Sequence, residues 1–214
     1  MLNISSVKDI TGQISNFVIL FTDITPMKEY QSQLEYITHY DVLTHLPNRT
    51  LLADRLSQAM LQCDCHQQSL AVALLDLDGF KAVNYTYGHD IGDQLLTVLS
   101  LRMKEVLREC GTLARIGGDE FVAVLADLVR AEDCKPVLDR LLLAASEPVL
   151  MGKLVLNISA SIGVSFYPND GVDADQLMHY ADQAMYVAKK SGENCYHLLD
   201  MAQNDAVKVQ RESL

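Results

Sequence analysis

Apolar residues along this chain fall into short blocks whose period switches repeatedly between that of a strand and that of a helix. Phe17 to Phe21 is an unbroken apolar run of strand length. Pro26 then sits just inside a helix start, where its missing N–H is tolerated. Met27, Tyr30, Leu34 and Ile37 follow at 3-4-3 spacing, an a/d seam under two heptads long. The spacing fits a helix packed on its own domain as well as a coiled coil between two chains. Asp41 to Arg49 carries turn chemistry at Pro47-Asn48, and a helix is predicted from there to about Cys65. Ser69 to Leu77 reads as a buried strand broken by Gly79. A short helix follows, then a long amphipathic one over Asp90 to Arg108.

Thr112 to Ile116 and Phe121 to Leu125 flank Gly117-Gly118, which predicts a hairpin with a tight glycine turn. The second run is apolar at every position, as in a strand buried on both faces. A helix over Ala131 to Ser146 comes next. Leu154 to Tyr167, rich in β-branched residues, reads as one strand. A loop at Pro168 to Gly171, a helix over Asp173 to Ser191 and a short strand at Cys195 to Leu199 complete the pattern. The order lacks the regular strand–helix repeat of a doubly wound sheet. It predicts an α+β fold with a central, mostly antiparallel sheet covered by helices.

Bulk composition narrows the function more than the fold. The 214 residues suit one domain with an appendage, at 49% hydrophobic and 21% charged. A net charge of −11 argues against a broad grip on nucleic acid or on acidic lipid. It leaves room for one phosphorylated ligand held through a metal. Nothing approaches the roughly 18 apolar residues of a membrane span, and the first residues show no signal-peptide pattern. Five irregularly spaced cysteines fit reduced thiols, so a cytoplasmic protein is expected. Cys63-Asp-Cys65-His66 has no second Cys/His pair at zinc spacing, and incidental thiols at a helix end explain it better.

The charged residues near the glycine turn need another account. Asp119 and Glu120 stand where the chain enters the interior, and charge there is unfavourable unless a cation meets it. No cation of the local sequence does so. Alternation along the first central strand puts Val72, Leu74, Asp76 and Asp78 on one face, with Ala71, Ala73, Leu75 and Leu77 on the other. If that strand lies beside the hairpin, Asp76, Asp119 and Glu120 converge at one edge of the sheet. Carboxylates on separate elements suit Mg²⁺ holding substrate phosphates; ordinary solvated acids are the alternative. Asn84 and Asp93 could read the edge of a guanine or simply serve as loop and capping residues. Lys81 and Lys189 are phosphate candidates or plain surface lysines. Asp76-Leu-Asp-Gly79 fails as a calcium loop, and no Walker sequence or GxGxxG is present.

Five motifs, in order, resemble those of GGDEF domains, the diguanylate cyclase family. They are LDLDGFKAVN at Leu75 to Asn84, GHDIGDQLL at Gly88 to Leu96, GGDEF at Gly117 to Phe121, ASIGVS at Ala160 to Ser165 and ADQAMYVAK at Ala181 to Lys189. The resemblance spans residues 41–199. It implies a palm-like nucleotide-cyclase fold and the condensation of two GTP into cyclic di-GMP in the bacterial cytoplasm. Asp76, Asp119, Glu120 and the Leu77 carbonyl would hold Mg²⁺ (or Mn²⁺), with Asp119 and Glu120 as the catalytic carboxylates. Glu120 would help to deprotonate the attacking 3′-hydroxyl. Asn84 and Asp93 would recognise guanine, Lys81 and Lys189 the phosphates, while Phe80, Gly117 and Gly118 would contact the nucleotide. Each domain holds one GTP, so a homodimer is required, with no nucleic acid and no membrane involved in this segment.

Residues 1–25 resemble the end of a PAS sensor domain and 26–40 its linking signalling helix, while 200–214 resemble a linker toward an EAL phosphodiesterase domain. The Glu105-Val-Leu107 tripeptide lies inside an amphipathic helix and is not that signature. Two departures from the family pattern stand out. Its inhibitory RxxD site reads Arg108-Glu-Cys-Gly111 here, without the aspartate. A frequent Gly-Arg after Lys189 is Gly192-Glu193, a negative charge where a positive one helps phosphate binding. Glu193 keeps a second reading open: a catalytically weak GTP-binding module that regulates an attached phosphodiesterase.

Overall fold

The computed structural model describes residues 2–8, 10–107 and 111–199. Contacts divide the chain into two units, one on each side of the Thr38–His39 boundary. In the first, β1 (Leu2–Lys8) and β2 (Ile14–Phe21) pair antiparallel, and α1 (Thr25–His39) follows. The side chain of Asp23 accepts from the Thr25 N–H at 2.8 Å and so caps the start of α1. Met27, Tyr30, Leu34 and Ile37 are all half or more exposed within this unit. β1 is absent from the pattern reading because Leu2 to Lys8 is too polar to stand out.

The second unit is organised around β3 (Ser69–Asp78), the central strand of a five-stranded sheet ordered β4-β5-β3-β8-β9. Its antiparallel neighbours are β5 (Glu120–Leu128) and β8 (Ser159–Tyr167). The outer strands are β4 (Gly111–Gly117), antiparallel to β5, and β9 (Tyr196–Leu198), parallel to β8. The expected α+β architecture is therefore present, with a sheet antiparallel everywhere except at β9.

Helices cover both faces, and the alternation along β3 assigns them. Leu70, Val72 and Leu74 pack with residues of α2 (Arg49–His66) and α6 (Ala174–Lys190). Ala71, Ala73, Leu75 and Leu77 pack in the opposite layer with α3 (Phe80–Tyr87), α4 (His89–Val106) and α5 (Lys135–Ser146). Phe121 is fully buried in that layer; truncation to Ala would cost about 3–5 kcal/mol. Asp76 continues the first series and so projects toward α6. On β8, Gly163 is where α6 comes closest: an added Cβ would lie 2.0 Å from the Met185 nitrogen and 2.1 Å from the Ala181 oxygen.

Two elements differ in kind from expectation. Leu154 to Tyr167 is two strands: β7 (Leu154–Leu156) folds back on β6 (Val149–Met151), and β8 begins only at Ser159. The turn between β6 and β7 holds Gly152 at φ 63°, a conformation glycine adopts without strain. Ala131 to Cys134 is a 3₁₀ turn that leads into α5, whose second residue is Pro136. At the start of β4, a Cβ on Gly111 would lie 2.1 Å from the Val124 carbonyl oxygen of β5, so the two strands leave no room for a side chain. Among the described residues, no helix is long and apolar enough to cross a membrane.

Candidate active site

The acidic residues gather where β3 and the β4–β5 turn end together. Register places Asp76 opposite Glu120, and the Leu77 N–H donates to the Asp119 carbonyl at 3.3 Å. Because β3 is central, these groups lie at the ends of inner strands rather than along a free edge. Asp76 has a cation partner that the local sequence did not reveal: Lys189 Nζ of α6 stands 2.6 Å from its Oδ1. Lys189, a phosphate candidate from the sequence, thus meets a carboxylate expected to hold metal. Burial pushes the Asp76 carboxyl up, the Lys189 bond and charge pull it down, and Asp119 and Asp78 push it up again; the net is above the ordinary value. Burial likewise raises Glu120, joined by the charges of Asp76, Asp119 and Asp182 and opposed by Arg49.

Asp78 has a different task. It is 7% exposed and accepts from Ser159 Oγ and Ser161 Oγ, each at 2.7 Å, and from the Asn194 N–H at 3.2 Å. This buried carboxylate ties the end of β3 to β8 and to the loop after α6. Glu193 lies exposed in that loop with φ 62°.

The glycine turn is braced by Arg115, a residue the motif reading passed over. Its Nε and Nη2 donate to the Gly118 carbonyl at 3.0 and 2.8 Å, and its Nη1 donates to both oxygens of Asp41 at 2.9 and 3.1 Å. Asp41 also accepts from Thr44 N and Oγ1 at 2.8 and 2.6 Å. Burial opposes its charge, but the Thr44 and Arg115 bonds outweigh burial and hold its carboxyl below the ordinary range. The local half of this cluster was legible as an Asp-x-x-Thr turn; the arginine 74 residues away was not.

On the far side of Gly79, α3 starts without a side-chain cap. The Ala82 and Val83 N–H groups both donate to the Gly79 carbonyl, at 3.0 and 3.2 Å, so the first-turn groups a phosphate could use are those of Phe80 and Lys81. Phe80 is 6% exposed and its ring belongs to the core, which leaves its main chain for any ligand. Lys81 is exposed beside it. Asn84 lies against α4, where its Oδ1 is buried and accepts no hydrogen bond among the described residues. Gly92 makes room for it: a Cβ there would stand 1.8 Å from that oxygen. Asp93, next along α4, is exposed. Gly117 and Gly118 have φ of 150° and 49°. Arg108 lies outside the described residues.

Hard oxygen donors on two adjoining elements suit Mg²⁺ in kind. Among the described residues, no group of three or more His, Cys, Asp or Glu is arranged to cage an ion by itself. That fits an ion completed by substrate phosphates, since Mg²⁺ is commonly held by one or two carboxylates together with them. In the Cys63–His66 segment, Cys63 is buried and Cys65 exposed, so the two thiols face different surroundings.

Comparison with known proteins gives a consistent picture. MucR of Pseudomonas aeruginosa, a bifunctional diguanylate cyclase/cyclic di-GMP phosphodiesterase, is 40% identical over 190 residues, covering 89% of this chain and 28% of MucR. The cyclic di-GMP phosphodiesterase NbdA of the same organism is 40% identical over 163 residues, 76% of this chain and 21% of NbdA. Diguanylate cyclase TpbB, also from that organism, is 34% identical over 187 residues, 87% of this chain and 42% of TpbB. The structure of the TpbB GGDEF domain alone aligns with a TM-score of 0.76 at 34% identity, covering 79% of this chain and 99% of that one. The chain thus spans less than half the length of each of these three relatives. Residues 38–195 match the family described as diguanylate cyclase, GGDEF domain, and the chain belongs to that family.

Proposed function

We propose that the domain condenses two GTP into cyclic di-GMP with release of pyrophosphate, acting as a homodimer with Mg²⁺. The observation that carries this is the pairing of Asp76 with Glu120, which puts the carboxylates of β3 and the GGDEF turn side by side. Asp76, Asp119 and the Leu77 carbonyl would hold the metal, with Glu120 in support. When bound, the ion would offset charge on the phosphates and favour ionisation of the attacking hydroxyl. Lys81 and the first turn of α3 hold the phosphates, and Asn84 and Asp93 pair with the guanine edge. In the reaction, the 3′-oxygen of each GTP bonds to the α-phosphorus of the other. At each phosphorus the bond to the bridging oxygen breaks, so two phosphodiester bonds form and two pyrophosphates leave. Glu120, held above the ordinary carboxyl range by burial and its acidic neighbours, accepts the proton of the 3′-hydroxyl.

Two half-sites must face each other, and the α1 seam of Met27, Tyr30, Leu34 and Ile37, exposed within its unit, is the surface for that assembly. The β1–β2 hairpin with the capped start of α1 fits the end of a sensor domain and its linking helix.

Incubating the chain with GTP and Mg²⁺ and separating the nucleotides by chromatography tests the proposal. Cyclic di-GMP should form, at a rate rising roughly with the square of enzyme concentration while monomer predominates. Absence of product at high concentration, with GTP still bound, would favour the regulatory GTP-binding module instead. The exposed carboxylate of Glu193 beside the site is the observation behind that second reading.

A further inference from the structure

The Lys189–Asp76 pair places a cation where the proposed metal must act. Lys189 Nζ is 2.6 Å from Asp76 Oδ1, and its side chain is 37% exposed, against 14% for the aspartate. The lysine sits in the last turn of α6, on a flexible stem that can reach another anion without moving the helix. The next lysine is engaged elsewhere: Lys190 Nζ lies 5.4 Å from the centre of the Tyr186 ring. Of the two, Lys189 is the one directed at the acidic cluster.

A divalent ion ligated by Asp76 and an ammonium bonded to the same carboxylate repel each other strongly at such range. The lysine has to leave as the metal enters. Leaving without a new partner is unfavourable; the triphosphate of an arriving nucleotide supplies one. We infer that Lys189 is a displaceable counter-ion, holding Asp76 when the domain is empty and moving to nucleotide phosphate as a divalent ion takes the carboxylate. Metal alone then binds weakly, and metal and nucleotide each strengthen the binding of the other by the same factor. This rests on the assignment of Asp76 to the metal made above.

The test is the affinity of the whole chain for Mn²⁺ alone, followed by the paramagnetic resonance of the free ion, with no nucleotide present. Lys189→Met should bind Mn²⁺ about tenfold more tightly than wild type, within the range usual for coupled sites. The same variant should bind Mn²⁺–GTP no better, or more weakly. Lys189→Arg, which keeps the charge, should bind Mn²⁺ as weakly as wild type. Thermal melts verify folding, and Lys189→Gln replaces the methionine variant if that one unfolds. Unchanged or weaker Mn²⁺ binding on removal of the charge would overturn the exchange. If Asp76→Asn binds Mn²⁺ as tightly as wild type, the metal assignment itself falls, and the exchange with it. A loss in Asp76→Asn alongside no gain in Lys189→Met overturns the exchange alone.

Discussion

Gly92→Ala should separate stability from nucleotide recognition, because the atom it adds meets a polar group that bonds to nothing among the described residues. Gly92 is buried within α4, where alanine is favoured over glycine by up to about 1 kcal/mol. The new Cβ would stand 1.8 Å from Asn84 Oδ1, 3.0 Å from its Cγ and 3.3 Å from Phe80 Cζ, whereas ordinary contacts begin at 3.4 Å. The amide oxygen must therefore withdraw by about 1.6 Å, at a rotamer cost of about 0.5–1.5 kcal/mol. Among the described residues that oxygen accepts no hydrogen bond, so its departure breaks none there. Helix preference and side-chain strain nearly cancel, and unfolding free energy should stay within about 1 kcal/mol of wild type. Recognition has no such compensation. On the proposed pairing of Asn84 with guanine, displacing an amide that would make two hydrogen bonds to the base removes about 1–3 kcal/mol, or roughly 5- to 150-fold in affinity. Calorimetric titration with GTP and with ATP in Mg²⁺, beside a thermal melt, measures both quantities. GTP affinity within twofold of wild type in a folded Gly92→Ala protein, while Asn84→Ala binds weakly, would refute this account of the glycine.

Two further substitutions probe the support around the turn. The Asp41 carboxyl is held below the ordinary range by Thr44 and Arg115, so its contribution is complete above the unfolded value near 3.9 and is lost as pH falls through the folded one. Asp41→Asn should lower stability at pH 7 by about 1.5–3 kcal/mol, and urea midpoints should converge with wild type in strong acid; a constant gap across that range would contradict the ion pair. His45 has φ 57°, a conformation unfavourable to a side chain by about 1–2 kcal/mol, partly offset by the greater freedom of an unfolded glycine. His45→Gly should raise the melting temperature by roughly 1–4 °C, and a fall would show that the imidazole contributes more than its backbone strain costs.

How much could be read beforehand depends on how local the cause is. The β3 run, the glycine hairpin and α6 follow from periodicity, which acts over neighbouring residues. Convergence of Asp76 with Glu120 was legible because strand alternation and hairpin pairing are themselves local rules, applied twice. The break at Asn157-Ile158 was hidden, since Leu154 to Tyr167 looks equally β-prone throughout; what splits it is the return of β7 onto β6 across Gly152. Partners brought together by the fold were invisible to local rules. Lys189 meets Asp76 only because α6 packs on the face of β3 that carries Leu74, and Arg115 reaches Asp41 only because β4 is an outer strand. The buried role of Asp78 is of the same kind: its serines lie more than eighty residues away.

The fit of Gly111 against β5 sets a condition on any substitution there. An aspartate at this position would need space between the strands for its Cβ; the Val124 carbonyl occupies that space, 2.1 Å from where the atom would be. Substitution by aspartate would not simply add a charge, since the backbone pair would have to part first. Any attempt to build an RxxD pattern into this chain must therefore change β5 together with residue 111.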